Sequence, residues 1–187
     1  MKKNIIVPTI ALFLICLVAT TLLALANSVT APIIDELAVK TEMESRKKVV
    51  VLAEKFVDKN ENGVSYALGV DKDGNEIGMV FTTTAKSYGG EILVMTGVSM
   101  DGTVCGVELL SINDTAGLGM NATKSDFRDQ FIGLVNGIKV MKNSSNPDNN
   151  EITALTGATI TSQAVTDAVN TCLLYTSPSP RDATLSR

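Results

Sequence analysis

The chain has 187 residues, 45% of them hydrophobic, a net charge of −4, three cysteines and no histidine. Without histidine there is no His-ligated metal site, no Ser-His-Asp or Cys-His nucleophile and no CxxCH haem site. The negative charge and the lack of a basic stripe with interleaved aromatics argue against nucleic acid as a partner, and Cys16, Cys105 and Cys172 lack the spacing of a zinc or disulfide framework.

The first segment, residues 1–34, is expected to be a membrane anchor. Ile5 to Ala26 is an unbroken run of apolar or small residues, long enough as a helix to cross about 30 Å of hydrocarbon. Pro8 falls in the first turn, where a missing N–H costs little. Lys2 and Lys3 precede the run and Asp35 and Glu36 follow it. The positive-inside rule then keeps the N-terminus in the cytoplasm and sends the remainder outside. Ala24-Leu25-Ala26 also fits a signal-peptidase site, but the apolar run exceeds a usual signal core, so an uncleaved single-pass anchor is the expectation.

Residues 35–60 read as a membrane-proximal helix: Leu37, Met43, Val50, Phe56 and Val57 share a face, with Glu42, Glu44, Arg46 and Lys47 off it. Short β-prone runs follow. Tyr66–Val70 and Ile77–Thr83 flank the turn sequence Asp71-Lys72-Asp73-Gly74-Asn75, and Ile92–Ser99 and Thr103–Ile112 flank Met100-Asp101-Gly102; both read as hairpins. Lys124–Ile132 reads as a short helix packing Phe127 and Phe131 on one side. Ile138–Met141 is a candidate strand and Asn143–Asn150 a polar loop. A last helix, starting near Thr161 or Ser162, presents Ala164, Val165, Ala168 and Val169 together. Strands in the middle and helices at the ends predict an α+β domain over 61–171.

From Cys172 to Asp182 the sequence resembles the in-frame translation of a transposon adapter used in sequencing libraries. Pro178 and Pro180 break the helical pattern there. Residues 172–187 are therefore expected to lie outside the fold, with no contacts to lose.

Two segments carry candidate chemistry. Thr156-Gly157-Ala158-Thr159 precedes the last helix. Gly157 permits a tight turn, Ala158 leaves room, and a threonine hydroxyl is presented at a helix N-terminus, where backbone N–H groups favour a phosphate. The alternative is a plain turn with Thr161 or Ser162 as the helix cap. The second segment is Asn113-Asp114-Thr115-Ala116-Gly117-Leu118-Gly119, where two glycines around a leucine let the backbone approach something flat; it is not a dinucleotide fingerprint. Cys105 reads as a small buried hydrophobe, and no residue pair reads as a general acid and base.

In order, the apolar helix ending Asn27-Ser28-Val29-Thr30-Ala31-Pro32-Ile33-Ile34, Gly89–Gly97 with Asp101-Gly102, Thr115-x-Gly-Leu-Gly, Phe127-x-x-Gln130-Phe131-x-Gly133 and Thr156-Gly-Ala-Thr159 resemble one family. It is that of the G subunit of Rnf electron-transport complexes, with the C subunit of the sodium-translocating NADH:quinone reductase as a relative. The resemblance covers residues 1–171. It implies an extracytoplasmic FMN-binding domain with a mainly antiparallel sheet flanked by helices, carried on a membrane helix. It further implies FMN held as a phosphoester on Thr159 by a dedicated flavin transferase, with Thr156, Gly157, Ala158, Gly117, Leu118 and Gly119 around the cofactor. The function implied is electron relay within an ion-translocating ferredoxin:NAD complex, alongside other membrane subunits and without a substrate site of its own. A stand-alone flavin-binding sensor, or a carrier module for an extracytoplasmic reductase, is the alternative. The chain departs from the family pattern at Thr153, where an acid usually precedes the attachment motif, at Ala116 for a proline, at Asp114 for a glutamate and at Ile112 for a histidine.

Overall fold

The computed structural model describes residues 3–61, 63–143 and 146–176. The chain divides into two units, residues 1–42 and 43–187. In the first, the described residues are all helical: α1 runs Lys3–Val49 and contributes its length up to Glu42. Its apolar side chains, from Ile6 through Ile34, are exposed. This is the one helix, among the described residues, long and apolar enough to cross a membrane. Lys2 lies outside the described residues, as do positions 144–145 of the polar loop and the tail 177–187.

The second unit is built on five antiparallel strands in the order of the chain: β1 (Lys55–Glu61), β2 (Val64–Val70), β3 (Glu76–Ser87), β4 (Gly90–Ser99) and β5 (Val104–Ser111). The two hairpins expected from the turn sequences are present, with Met79 opposite Leu68 and Thr96 opposite Val107. Side chains alternate across a sheet, and here both faces are covered. Ile92, Val94 and Val98 of β4 join Phe81, Val104 and Val107 in the main core, which α3 (Thr159–Thr176) supplies with Ala164, Val165, Ala168 and Val169. Val80 and Met95 face the other way, onto Val49, Val50 and Ala53. On that second face Gly97 and Gly106 leave the sheet bare. A Cβ at Gly97 would stand 2.4 Å from the Val49 carbonyl oxygen, and one at Gly106 would stand 2.9 Å from Val49 Cα. Only a side chain ending at hydrogen lets the last turn of α1 lie that close.

The expected helix over 35–60 is corrected at its C-terminal half. α1 stops at Val49 and the chain turns into β1. Phe56 and Val57, which fit the helical face, belong to an edge strand whose remaining side chains are mostly charged and exposed, as edge strands commonly are. The Lys124–Ile132 helix is realised as one turn, α2 (Ser125–Arg128), and a 3-10 turn over Asp129–Phe131, with the Phe127 and Phe131 rings edge to face at 5.6 Å. The strand expected at 138–141 is β6 (Lys139–Met141), paired in parallel with β7 (Glu151–Thr153).

The last helix also corrects an expectation. It begins two residues earlier, at Thr159, and continues past Thr171 to Thr176. Cys172 and Leu173 are 0% and 1% exposed in the main core, and the Cys172 sulfur lies 3.4 Å from the Thr83 hydroxyl. Cys172 continues the stripe of Val165, Ala168 and Val169 by helical spacing. The segment from Cys172 onward therefore does make contacts, at least as far as Leu173.

Candidate functional site

Three segments meet beside the N-terminus of α3. The first is the tip of the β3–β4 hairpin, Ser87-Tyr88-Gly89. The second is the loop from Asn113 into the 3-10 turn Gly119–Thr123. The third is the turn that leads from β7 into α3. Between them lies an open cavity of about 480 Å³, lined by Tyr88, Asp114, Thr115, Leu118, Gly119, Gly157, Ala158, Thr159, Ile160 and Thr161. That volume suits a cofactor-sized ligand.

The turn into α3 is shaped by its own residues. Gly157 has φ +74°, a left-handed conformation that costs other residues about 1–2 kcal/mol. The Ser162 hydroxyl donates to the Ala158 carbonyl and accepts from the Leu155 N–H at 2.9 Å, closing the turn from inside. Thr159, the first helical residue, is left exposed at the cavity wall. The strand before the turn is held by Gln130. Its side-chain oxygen accepts from the Thr153 N–H at 2.7 Å and its amide nitrogen donates to the Thr153 carbonyl at 3.4 Å. One glutamine thus serves as a neighbouring strand for the residue three positions before Thr156.

The second wall is compacted by the Asn121 amide, which donates to the Gly117 carbonyl at 2.6 Å, and by the Leu118 N–H, which donates to Thr115. That N–H is spent inside the loop, and Leu118 lines the cavity.

Behind both walls sits Asp114, 7% exposed. Its carboxylate accepts hydrogen bonds from the Ser87 hydroxyl at 2.5 Å, the Gly89 N–H at 2.6 Å and the Thr161 hydroxyl at 2.6 Å. Burial alone pushes this carboxyl up, but the bonds from Ser87, Thr161 and Gly89 together outweigh it and hold the group below the ordinary aspartate value. Thr161 therefore spends its hydroxyl on Asp114, and Ser162 spends its own on Leu155 and Ala158. Neither caps the helix in the way the plain-turn reading requires.

Of the seven residues singled out in the sequence, Gly157, Ala158, Thr159, Leu118 and Gly119 line this one cavity. Gly117 and Thr156 flank it without lining it. Asp114, Thr115 and Thr161, named in the sequence only as loop, motif or cap residues, line it too, and so do Tyr88 and Ile160, which the sequence did not single out. The one local signal for Tyr88 was an aromatic set beside two glycines at a hairpin tip.

Comparison with known proteins places this geometry. The model of the FMN-binding domain family matches residues 87–174, which span all three walls. The G subunit of the Na(+)-translocating ferredoxin:NAD(+) oxidoreductase complex of Acetobacterium woodii is 36% identical over 177 residues, covering 85% of each chain. The chain belongs to the G-subunit family of ion-translocating oxidoreductase complexes. The corresponding protein of Clostridium ljungdahlii, from a complex named as proton-translocating, is 34% identical over 90% of this chain and 89% of its own. That of Methanosarcina acetivorans is 32% identical over 94% and 96%. In fold, the crystal structure of the C subunit of the Na(+)-translocating NADH-quinone reductase from Parabacteroides distasonis superposes with a TM-score of 0.54 at 20% identity, covering 71% of this chain and 79% of that one. The cofactor of this domain is FMN, and the site's composition fits it. Tyr88, Leu118 and Ile160 offer apolar surface for a flat ring, and the α3 N-terminus offers a seat for a phosphate.

Proposed function

We propose that this protein is an electron carrier whose FMN is attached through its phosphate to the Thr159 hydroxyl. The observation that carries the reading is the position of that hydroxyl: exposed, on the first residue of an 18-residue helix, at the wall of an open cavity. The N–H groups of a helix's first turn lack intrahelical partners, and together with the helix dipole they stabilise a phosphate linked there. A cavity this open would lose a free cofactor readily, and a covalent bond removes that loss. Attachment by a transferase using FAD balances as a substitution at phosphorus. The bond from Thr159 Oγ to the flavin-side phosphorus forms, the pyrophosphate bond breaks, AMP leaves, and the hydroxyl proton passes to the transferase. The bound flavin supplies electron transfer; the chain's own residues hold it and shape its surroundings. Residues 1–34 anchor the domain with the N-terminus in the cytoplasm and the flavin on the other side. The electron partners are other membrane subunits of a ferredoxin:NAD-type complex.

The test is ultraviolet fluorescence of the full chain after denaturing electrophoresis, following production with a flavin transferase. The wild type is expected to give a fluorescent band and Thr159→Ala none. A band that persists in Thr159→Ala moves the covalent site elsewhere and removes the central claim.

A further inference from the structure

We propose that Asp114 is the positioning residue of this site, a buried carboxylate that fixes the three cavity walls relative to one another before any flavin arrives. Each of its three hydrogen bonds ties the loop to another wall. Ser87 and the Gly89 N–H lie on either side of Tyr88 at the hairpin tip, Thr161 lies in the first turn of α3 two residues after Thr159, and Asp114 itself opens the loop that carries Leu118. The donors stand 25, 27 and 47 residues away in sequence, so no local turn preference brings them together.

The packing around the carboxylate leaves little room for any other arrangement. A Cβ at Gly119 would stand 2.6 Å from Asp114 Cβ, 2.6 Å from the Thr161 hydroxyl and 2.8 Å from Asp114 Oδ2; one at Gly89 would stand 2.2 Å from the Asn113 carbonyl oxygen and 2.9 Å from Asp114 Oδ1. Both glycines are absent side chains at the points where the walls converge on the carboxylate. All three donors are neutral, so the charge is held by hydrogen bonds alone, and hydrogen bonds to an ionised acceptor are stronger than neutral ones.

The placement also serves the attachment site. α3 has no acidic residue in its first turn, a position where negative charge is favourable. Asp114 brings that charge from another segment, and it does so through the Thr161 hydroxyl rather than through backbone N–H groups. Tyr88 is 73% exposed and Ile160 58%; neither is held by packing of its own ring or chain, so their positions follow from the clamp beneath them.

An asparagine at 114 keeps the shape and removes the charge, and its single oxygen cannot accept from all three donors. The experiment uses the full chain in detergent, first without flavin. Amide hydrogen exchange at Gly89 is expected to accelerate about tenfold or more in Asp114→Asn, since this N–H has the carboxylate as its acceptor. Ser87→Ala and Thr161→Val each remove one donor and are expected to give smaller accelerations; they serve as the readout if Asp114→Asn does not fold. The second measurement is on FMN-loaded protein, where iodide quenching of the flavin is expected to rise at least about twofold in the same variants while the Thr159-linked band remains. A general loss of stability would not change quenching of the folded, labelled fraction. Unchanged Gly89 exchange in all folded variants, or unchanged quenching, overturns the proposal. The quenching arm rests on the covalent reading, whereas Gly89 exchange is read without flavin, so a wild type lacking the Thr159 band would sink that reading and leave the clamp to be judged on exchange.

Discussion

Gly119→Ala is a single methyl placed where three groups already meet. The φ of Gly119 is not in the left-handed region, so alanine is conformationally acceptable and the entire cost is steric. The new Cβ would lie 2.6 Å from both Asp114 Cβ and Thr161 Oγ1, about 1 Å inside ordinary contact distance. The nearest atoms are the root of a buried side chain and a hydroxyl engaged in a hydrogen bond, so relief requires the loop to withdraw from α3. Overpacking of this kind costs about 1–3 kcal/mol, and losing the charge-assisted bond from Thr161 adds about 1.5–3 kcal/mol. A total of about 2.5–6 kcal/mol is a large share of the roughly 5–15 kcal/mol that holds a domain together. At about 2–4 °C per kcal/mol for a domain of this size, the melting temperature should fall by roughly 5–24 °C. Gly117→Ala is the control: its added Cβ meets nothing within 4 Å but sits at φ +77°, a strain of about 1–2 kcal/mol. Thermal melts of the two variants beside the wild type decide the matter. If Gly119→Ala melts within about 2 °C of the wild type, or above Gly117→Ala, then the contact between this loop and α3 is not as tight as described.

Three other outcomes are expected. Thr159→Ser keeps the hydroxyl but frees its rotamer, so the fluorescent band should weaken without vanishing; labelling equal to or above wild type contradicts a role for the β-branched side chain. Leu173→Ala should destabilise by about 2–5 kcal/mol, and truncation after Thr171 should lower the melting temperature as well, because Cys172 and Leu173 fill the core; denaturant titrations that leave the midpoint unchanged would return residues from 172 onward to the outside of the fold. The depressed Asp114 carboxyl contributes stability that is present above its unfolded value and lost as pH falls through its lower folded value. Acid titration of the wild type should therefore show a loss below the ordinary aspartate range that is reduced in Asp114→Asn, and identical acid limbs would place that loss on other carboxylates.

Much of the scaffold could be read directly. Alternation in β3 and β4, bounded by Asp71–Asn75 and Met100–Gly102, gave both hairpins because turn chemistry and side-chain period agree there. The boundary errors have definite origins. Val50, Phe56 and Val57 satisfy a helical period by coincidence, while Lys55, Asp58, Lys59 and Glu61 hide an edge strand that has one neighbour and little to bury. β6 and β7 are three residues each and lie well apart in the chain, too short for any period to register. In the site, Thr159 and the two glycine-containing segments were visible as local motifs. The carboxylate that joins them was visible only as a loop residue, since its partners at 87, 89 and 161 are set by the path of three separate segments.

The last turn of α1 has a practical meaning for anyone wishing to detach the FMN-binding domain from the apolar helix before it. Val49, Val50 and Ala53 form the second core with Ala67, Val80 and Met95, Ser45 is buried, and Arg46 and Lys48 pair with Asp58 and Glu108. A water-soluble fragment cut at the first strand, near Lys55, would present the bare strip of Gly97 and Gly106 to solvent and invite self-association through it. The severing point that respects the domain lies upstream of Met43, so that the fragment takes the final helical turn with it as its own floor.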